Sequence, residues 1–114
     1  MGKDIFPLKN IIGYCEDIKD AIDRFGGEED FAEDRHYRDL CSFYISQIGE
    51  NIKHLSKRSK DKYPEIKWDV IREARDDVAH VYHTIDFDLI WFTITEEIPI
   101  LKETCEKILK DLRS

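Results

Sequence analysis

Apolar residues recur every three or four positions along most of the chain, which is the period of an amphipathic helix. The first such stripe predicts a helix from about Asp4 to Phe25, ended by Gly26-Gly27. Its members are Ile5, Leu8, Ile11, Ile12, Cys15, Ile18, Ile22 and Phe25. Pro7 is compatible with this helix because it lies near the start. We expect the next segment, GGEEDFAED, to form an acidic loop.

A second stripe predicts a helix from about Glu33 to Ser56. Its members are Tyr37, Leu40, Cys41, Tyr44, Ile45, Ile48, Ile52 and Leu55. Gly49 lies inside this helix, where it costs roughly 1 kcal/mol relative to alanine, and an interior glycine is typical of a close helix contact. We expect the basic residues that follow to form the helix end and a loop. That loop closes at Tyr63-Pro64, because the residue before a proline disfavours helix.

Two further stripes complete the pattern. The third predicts a helix that starts near Pro64 and runs to about Tyr82. The fourth predicts a helix that begins near Asp86, whose carboxylate could cap it, and that Pro99 kinks or divides in two. The third stripe contains Ile66, Val70, Ile71, Ala74 and Val78, and the fourth contains Leu89, Ile90, Phe92, Ile94, Ile98, Leu101, Cys105, Ile108 and Leu112. The pattern predicts an all-α, up-and-down bundle of four to five helices in a single domain over residues 1–114.

Composition agrees with this fold class. The 114 residues are 41% hydrophobic and 38% charged, which is typical of a soluble globular domain with one core. No apolar run approaches the roughly 18 residues of a membrane helix, and the N-terminus is too charged for a signal peptide. Cys15, Cys41 and Cys105 each fall within an apolar stripe and lack metal-ligand spacing. They are therefore expected to be reduced core thiols of a cytoplasmic protein.

The formal net charge of −7 argues against an extended surface for nucleic acid. Positive charge is nevertheless concentrated in NIKHLSKRSKDKYPEIK, which holds six lysines and arginines against Asp61 and Glu65. One interpretation is a solvated helix end and loop. The other is a phosphate-contacting rim beside a functional site, with Lys53, Lys57 and Arg58 as candidates for contacting RNA.

The segment RDDVAHVYH, residues 75–83, places candidate chemistry at the end of the third helix and the turn into the fourth. Arginine suits a phosphodiester, and histidine can accept a proton from a ribose 2′-hydroxyl or donate one to the leaving oxygen. Arg75 and His80 would suffice, without a metal ion, for RNA cleavage by internal attack. The products would be a 2′,3′-cyclic phosphate and a 5′-hydroxyl.

Helical geometry leaves alternatives open. At about 100° per residue, Arg75 and Tyr82 share one face, while His80 lies on another face with Asp76 and His83. Convergence of Arg75 and His80 therefore requires fraying of the helix end or a second copy of the chain. A structural alternative has Arg75 paired with an acid, His80 capping the helix and Tyr82 half-buried. A third alternative is a metal site of His80, His83 and Asp76.

The segment YPEIKWDVIREARDDVAHVYHTIDFDLIWFTITEEIPIL, with QIGENIKHLS upstream, resembles the HEPN superfamily and, within it, the HepT toxin-like branch. The family motif is arginine, four residues, histidine, one residue and tyrosine, here Arg75, His80 and Tyr82. Further matching positions are Gly49-Glu50, Pro64, Trp68, Ile71, Asp86, Trp91 and Pro99. The chain departs from the branch at Asp76, where asparagine is usual. A carboxylate there would raise the basicity of a nearby histidine and repel phosphate.

The resemblance implies a homodimer in which the arginine and histidine of both protomers line one composite cleft. It implies metal-independent RNA cleavage without a cofactor, in which Arg75 binds and polarises the scissile phosphate. His80 would then act in acid–base catalysis, and Asp76 would support the site. The implied partner is a minimal nucleotidyltransferase antitoxin that transfers AMP onto Tyr82. The expected function is thus a ribonuclease toxin; the alternatives are a catalytically inactive HEPN binding module that partners a nucleotidyltransferase, and a helical protein with an unrelated role.

Overall fold

Helices and turns form all of the structure that the computed structural model describes, which covers residues 2–72 and 87–113. This confirms the all-α fold class. A 3₁₀ turn at Gly2–Asp4 comes first. The α-helices are α1 (Ile5–Phe25), α2 (Glu28–Glu33), α3 (Arg35–Lys53), α4 (Lys57–Asp61), α5 (Phe87–Phe92) and α6 (Ile98–Arg113). Residues 68–72 are also helical, and a π-helical turn, Thr93–Glu97, joins α5 to α6.

The core is built around α1, which packs along α3 and along α6. The predicted stripes of these three helices are largely buried. Residues with no exposed surface include Leu8, Ile11, Ile18, Cys41, Ile48, Leu101 and Cys105. Burial of a Leu or Ile side chain is worth about 1.5–3 kcal/mol, so these rows account for much of the fold's stability.

Within residues 2–72 and 87–113, four members of the predicted stripes are exposed, and their position on the helix explains the exposure. Phe25 is the last residue of α1. Leu89 lies one residue before the buried Ile90, and Phe92 lies two residues after it. They are rotated from Ile90 by about 100° and 200° around the helix, so both point away from the core. Val70 is likewise exposed, one residue before a buried isoleucine.

The acidic segment after α1 is a helix, and the prediction of a loop there was wrong. Gly26 ends α1 at φ 111°, and α2 begins two residues later. The Asp30 carboxylate accepts a hydrogen bond from the Gly27 amide at 3.1 Å, and the acidic first turn complements the helix dipole. Phe31, which is 1% exposed, anchors the helix to the core. A helix with a single buried position leaves no periodic signal in the sequence.

The predicted start and end of the second helix shift inward in the structure. Asp34 caps the N-terminus of α3, because its carboxylate accepts hydrogen bonds from the amides of His36 and Tyr37 at 3.0 and 3.2 Å. The helix ends at Lys53 rather than Ser56. Gly49 is buried within it.

The basic segment also contains a helix where a loop was predicted. Ser56 caps α4, accepting a hydrogen bond from the Ser59 amide at 3.2 Å. Asp4, 1% exposed, accepts hydrogen bonds from the Ser56 amide at 2.9 Å and from the hydroxyls of Ser56 and Ser59. Burial disfavours the charged carboxylate, but these hydrogen bonds outweigh burial and lower the pKa of Asp4. The start of the chain is thereby fastened to α4.

The third predicted helix does not begin at Pro64. Residues 64–66 form a turn in which the Ile66 amide donates to the Tyr63 carbonyl at 3.1 Å, and helix begins at residue 68. The turn forms because it buries Ile66. The predicted end of this helix at Tyr82 lies outside the described residues, as does the predicted cap of the fourth helix at Asp86.

Pro99 was predicted to kink or divide the fourth helix, and the structure divides it. The division is the π-helical turn, closed by a hydrogen bond from the Ile98 amide to the Thr93 carbonyl. Pro99 lacks an N–H and cannot bond the carbonyl four residues earlier, which favours irregular helix at this place. Thr95 Oγ1 donates to the Trp91 carbonyl at 2.7 Å within the same turn.

The three cysteines are buried and free, in agreement with their prediction as core thiols. Burial raises the pKa of Cys41 and of Cys105 to about 12, and it raises that of Cys15 as well. Such thiols stay protonated near neutral pH and are unreactive. Among the described helices, none has the length and apolar character required to cross a membrane.

Candidate functional site

The residues predicted to carry the chemistry lie between the two described parts of the chain. Arg75, Asp76, His80 and Tyr82 fall within residues 73–86, outside the described residues, and so does His83. The structure therefore describes the frame on either side of them: the helical residues 68–72 before the segment and α5 after it.

Trp68 anchors the N-terminal side of this frame. Its ring is 7% exposed, and its indole N–H lies 3.1 Å from the Lys60 carbonyl and 3.2 Å from the Tyr63 carbonyl. Ile71 is buried one turn later, and its amide donates to the Lys67 carbonyl at 3.1 Å. The indole hydrogen bond to Lys60 thus connects residues 68–72 to α4, and the buried Ile71 anchors them to the core.

Arg38 anchors the C-terminal side. Its guanidinium carbon lies 4.3 Å from the centroid of the Phe87 ring, in a cation–π contact. Its Nη1 donates to the carbonyl of Phe31 at 3.1 Å and to that of Ala32. Arg38 on α3 therefore links the end of α2 to the first residue of α5. This role could not be predicted from the sequence, since it depends on contacts between residues far apart in the chain.

Aromatic rings reinforce the same side. Trp91 on α5 packs 5.3 Å from Phe31 and 6.5 Å from Tyr37, measured between ring centroids. Phe31 meets Tyr37 edge-on at 5.1 Å, and the Tyr37 hydroxyl donates to the Gly26 carbonyl at 2.9 Å. Burial, with minor contributions from neighbouring negative charge, raises the pKa of Tyr37 to about 12, so its hydroxyl remains a donor. Three helices thus meet at the base of α5.

The three predicted RNA-contacting cations lie close together in the chain on exposed surface. Lys53 is the last residue of α3, and Lys57 and Arg58 begin α4. Lys57 Nζ is 3.2 Å from Asp61 Oδ2 in an exposed ion pair. Such a pair contributes little and leaves the ammonium accessible to another anion.

A metal site was the third alternative for the motif. Its proposed ligands, His80, His83 and Asp76, lie outside the described residues. Within residues 2–72 and 87–113, no group of three histidine, cysteine or acidic side chains is arranged to hold a metal ion.

Comparison with known proteins gives consistent matches over most of the chain. The family model described as Ribonuclease HepT-like matches residues 11–108. A protein of Thermococcus cleftensis named "Probable ribonuclease HepT" is 35% identical over 103 residues, which cover 85% of this chain and 94% of that protein.

Two further relatives carry the name "Putative RNase". One, from Methanocaldococcus jannaschii, is 32% identical over 92% of this chain and 90% of its own length. The other, from Caldanaerobacter subterraneus subsp. tengcongensis, is 32% identical over 90% of this chain and 91% of its own. No solved structure shows significant similarity to the chain.

Proposed function

The chain belongs to the HepT-like ribonuclease family of the HEPN superfamily, and from this we propose that it is a metal-independent endoribonuclease. The observation that carries the proposal is the motif of Arg75, His80 and Tyr82 inside the matched region. The names of the relatives support ribonuclease activity for the family. We place the protein in the cytoplasm, where its thiols stay reduced.

In the proposed reaction, His80 takes the proton of a ribose 2′-hydroxyl, and the 2′-oxygen attacks the adjacent phosphorus. The bond from phosphorus to the 5′-oxygen breaks, and His80, now protonated, donates its proton to that oxygen. Arg75 binds the non-bridging phosphate oxygens and balances their charge as the transition state forms. Asp76 is a supporting polar residue. The products are a 2′,3′-cyclic phosphate and a 5′-hydroxyl.

We assign the active species as a homodimer with a composite cleft. On a regular helix Arg75 and His80 would lie on different faces, and pairing across two protomers would bring them onto one phosphate. Two copies of Arg75 would also concentrate positive charge in one groove of an otherwise acidic protein. Lys53, Lys57 and Arg58 are proposed to contact the RNA backbone beside the cleft.

The proposed setting is a toxin–antitoxin pair in which a nucleotidyltransferase neutralises the nuclease. The hydroxyl of Tyr82 attacks the α-phosphate of ATP, AMP becomes attached through a new oxygen–phosphorus bond, and pyrophosphate leaves. The attached group adds bulk and negative charge two residues from His80. RNA phosphate would then be excluded from the cleft.

The first experiment is cleavage of total cellular RNA in EDTA by the parent, by Arg75→Ala and by His80→Ala. His36→Ala, a change at an exposed histidine on α3, is the matched control. We expect the parent and His36→Ala to cut RNA and leave cyclic phosphate ends. Both motif variants should lose at least 100-fold in rate, about the contribution of one acid–base group. Parent protein with unmodified Tyr82 that leaves RNA intact would refute the nuclease.

Asp76 favours a second candidate function, a catalytically inactive HEPN module that binds a nucleotidyltransferase. A carboxylate next to Arg75 repels the phosphate that Arg75 would bind. Asp76→Asn separates the two candidates, because it removes the charge and keeps a polar side chain of nearly the same size. An inactive parent and an active Asp76→Asn variant would favour the binding module. Similar activity in both would favour the nuclease.

A further inference from the structure

A groove of about 680 Å³ lies between α4 and residues 64–70. Lys57, Lys60 and Lys67 line it together with two aspartates and an apolar surface that includes Pro64 and Val70. All of the lining residues named here lie in the described part of the chain, before the motif in the sequence. We refer to it as the lysine groove.

Two of the three lysines of the lysine groove are outside any ion pair among the described residues. Of its two aspartates, Asp61 pairs with Lys57 at 3.2 Å, and Asp69 lies 4.0 Å from the Arg72 guanidinium outside the groove lining. In the part of the chain that the structure describes, neither Lys60 nor Lys67 takes part in an ion pair. As far as the described residues show, an anion that enters the groove therefore meets two ammonium groups that are not engaged in an ion pair.

The wall of the groove is apolar as well as cationic. Val70 is 53% exposed and Pro64 is exposed, so both offer non-polar surface to a ligand. A single-stranded nucleic acid presents both phosphates and unstacked bases, and proteins bind it with positive charge beside surfaces on which bases pack. A duplex conceals its base faces and would use only the lysines.

Both walls of the groove are held in place. On one side, the hydrogen bonds of Asp4 to Ser56 and Ser59 fix α4. On the other, the Trp68 indole N–H donates to the Lys60 carbonyl and connects the two walls directly. A groove with fixed walls loses little conformational entropy when a ligand binds.

We propose that the lysine groove is a binding site for single-stranded RNA outside the catalytic motif. Lys60 and Lys67 contact backbone phosphates, while Val70 and Pro64 pack against a base or a ribose. The proposal rests on the proposed ribonuclease function. Arg75 lies eight positions after Lys67, so their Cα atoms are within roughly 29 Å of each other even for an extended chain. One RNA strand of about ten nucleotides, at about 3.4 Å each, can reach both.

The test measures RNA binding in the His80→Ala background, so that cleavage does not consume the probe. The probe is a fluorescein-labelled single-stranded RNA of about 20 nucleotides, and its dissociation constant is followed by anisotropy from about 50 to 200 mM KCl. The double variant Lys60→Ala/Lys67→Ala is compared with Lys19→Ala/Lys107→Ala. That control removes the same charge from exposed positions on α1 and α6.

Loss of two phosphate contacts should lower the slope of log affinity against log salt by about 1.4 for a single strand. Over a fourfold range of salt, the affinity of the His80→Ala protein with an intact groove should therefore fall about sevenfold more than that of the groove variant, Lys60→Ala/Lys67→Ala in the same background. The control should keep the parent's slope, and Lys60→Arg/Lys67→Arg should restore binding. Val70→Ser should weaken binding of single-stranded RNA but leave that of a duplex of equal length unchanged.

An unchanged slope and affinity in Lys60→Ala/Lys67→Ala, with a native circular dichroism spectrum, would overturn the proposal. Equal competition by an acidic peptide of the same charge would also overturn it, since the groove would then be a general anion site. The two proposals fail separately. A parent that cuts RNA while the groove variant binds normally contradicts only the groove, and a parent that binds through the groove without cutting contradicts only the nuclease.

Discussion

Replacement of Asp4 by alanine should destabilise the fold through a hydrogen-bond cluster that joins the start of the chain to α4. The change removes the acceptor for the Ser56 amide at 2.9 Å, for the Ser56 hydroxyl, and for the Ser59 hydroxyl at 2.6 Å. The Ser59 hydroxyl is buried and the Ser56 amide is partly buried. An unsatisfied buried donor costs about 1–3 kcal/mol. Because the Ser56 hydroxyl can turn to water, we expect a total loss of about 3 kcal/mol, a large part of a typical unfolding free energy.

The loss should depend on pH in one direction. The folded structure lowers the pKa of Asp4 below its ordinary value of 3.8. At a pH near that value, the Asp4 carboxylate therefore takes up a proton when the protein unfolds. The stabilisation by the carboxylate is complete above the unfolded pKa and disappears as the pH falls through the lower folded pKa. The difference in unfolding free energy between the parent and Asp4→Ala should therefore be largest at neutral pH and shrink as the pH falls below the ordinary value of 3.8.

Urea denaturation followed by far-ultraviolet circular dichroism measures both effects. Asp23→Ala is the matched control, since Asp23 is an exposed carboxylate in an ion pair with Lys19 and should change stability by less than about 0.5 kcal/mol. A loss for Asp4→Ala no larger than that of the control would refute the role of the cluster. A loss of the same size at pH 3 and pH 7 would refute the argument from its charge.

Two further substitutions test the frame of the site. Gly26→Ala should lower the unfolding free energy by about 1–2 kcal/mol, because Gly26 has φ 111° and a Cβ there would clash with the Asp30 carboxylate. The check is thermal denaturation of Gly26→Ala and of the control Gly13→Ala, where an added Cβ has open space. Equal melting temperatures for the two variants would contradict the prediction. Trp68→Phe should cost about 1–2 kcal/mol by removing the indole N–H from the Lys60 carbonyl. A urea titration that gives the parent's midpoint would exclude that bond as a source of stability.

The long helices could be predicted from the sequence because each has a buried row of four or more side chains. For α1 and α3 the predicted ends lie within a few residues of the observed ones. The short helices α2 and α4 have five or six residues, too few for a period to appear. They are fixed instead by caps and single anchors, such as Ser56 for α4 and Phe31 for α2.

The candidate site divides in a similar way. The motif residues Arg75, His80 and Tyr82 could be proposed because their spacing is local in the sequence and the family match includes them. Their roles stay predictions, since they lie outside the described residues. The contact of Arg38 with Phe87 could not be predicted, because the two residues are 49 positions apart and meet only through the packing of α2, α3 and α5. The lysine groove arises in the same way, from a turn that replaces the predicted start of a helix.

The π-helical turn before Pro99 determines how α6 is rotated about its axis relative to α5. A π turn contains one residue more than an α turn, so it rotates α6 relative to α5 by about 100° compared with an uninterrupted helix. In the orientation that results, Ile98, Leu101 and Cys105 of α6 are buried. Loss of one residue within Thr93–Glu97 would turn the buried row of α6 toward solvent even if every side chain were conserved. The number of residues in this turn is therefore more constrained than their identity, and descendants of this sequence should vary in composition there before they vary in length.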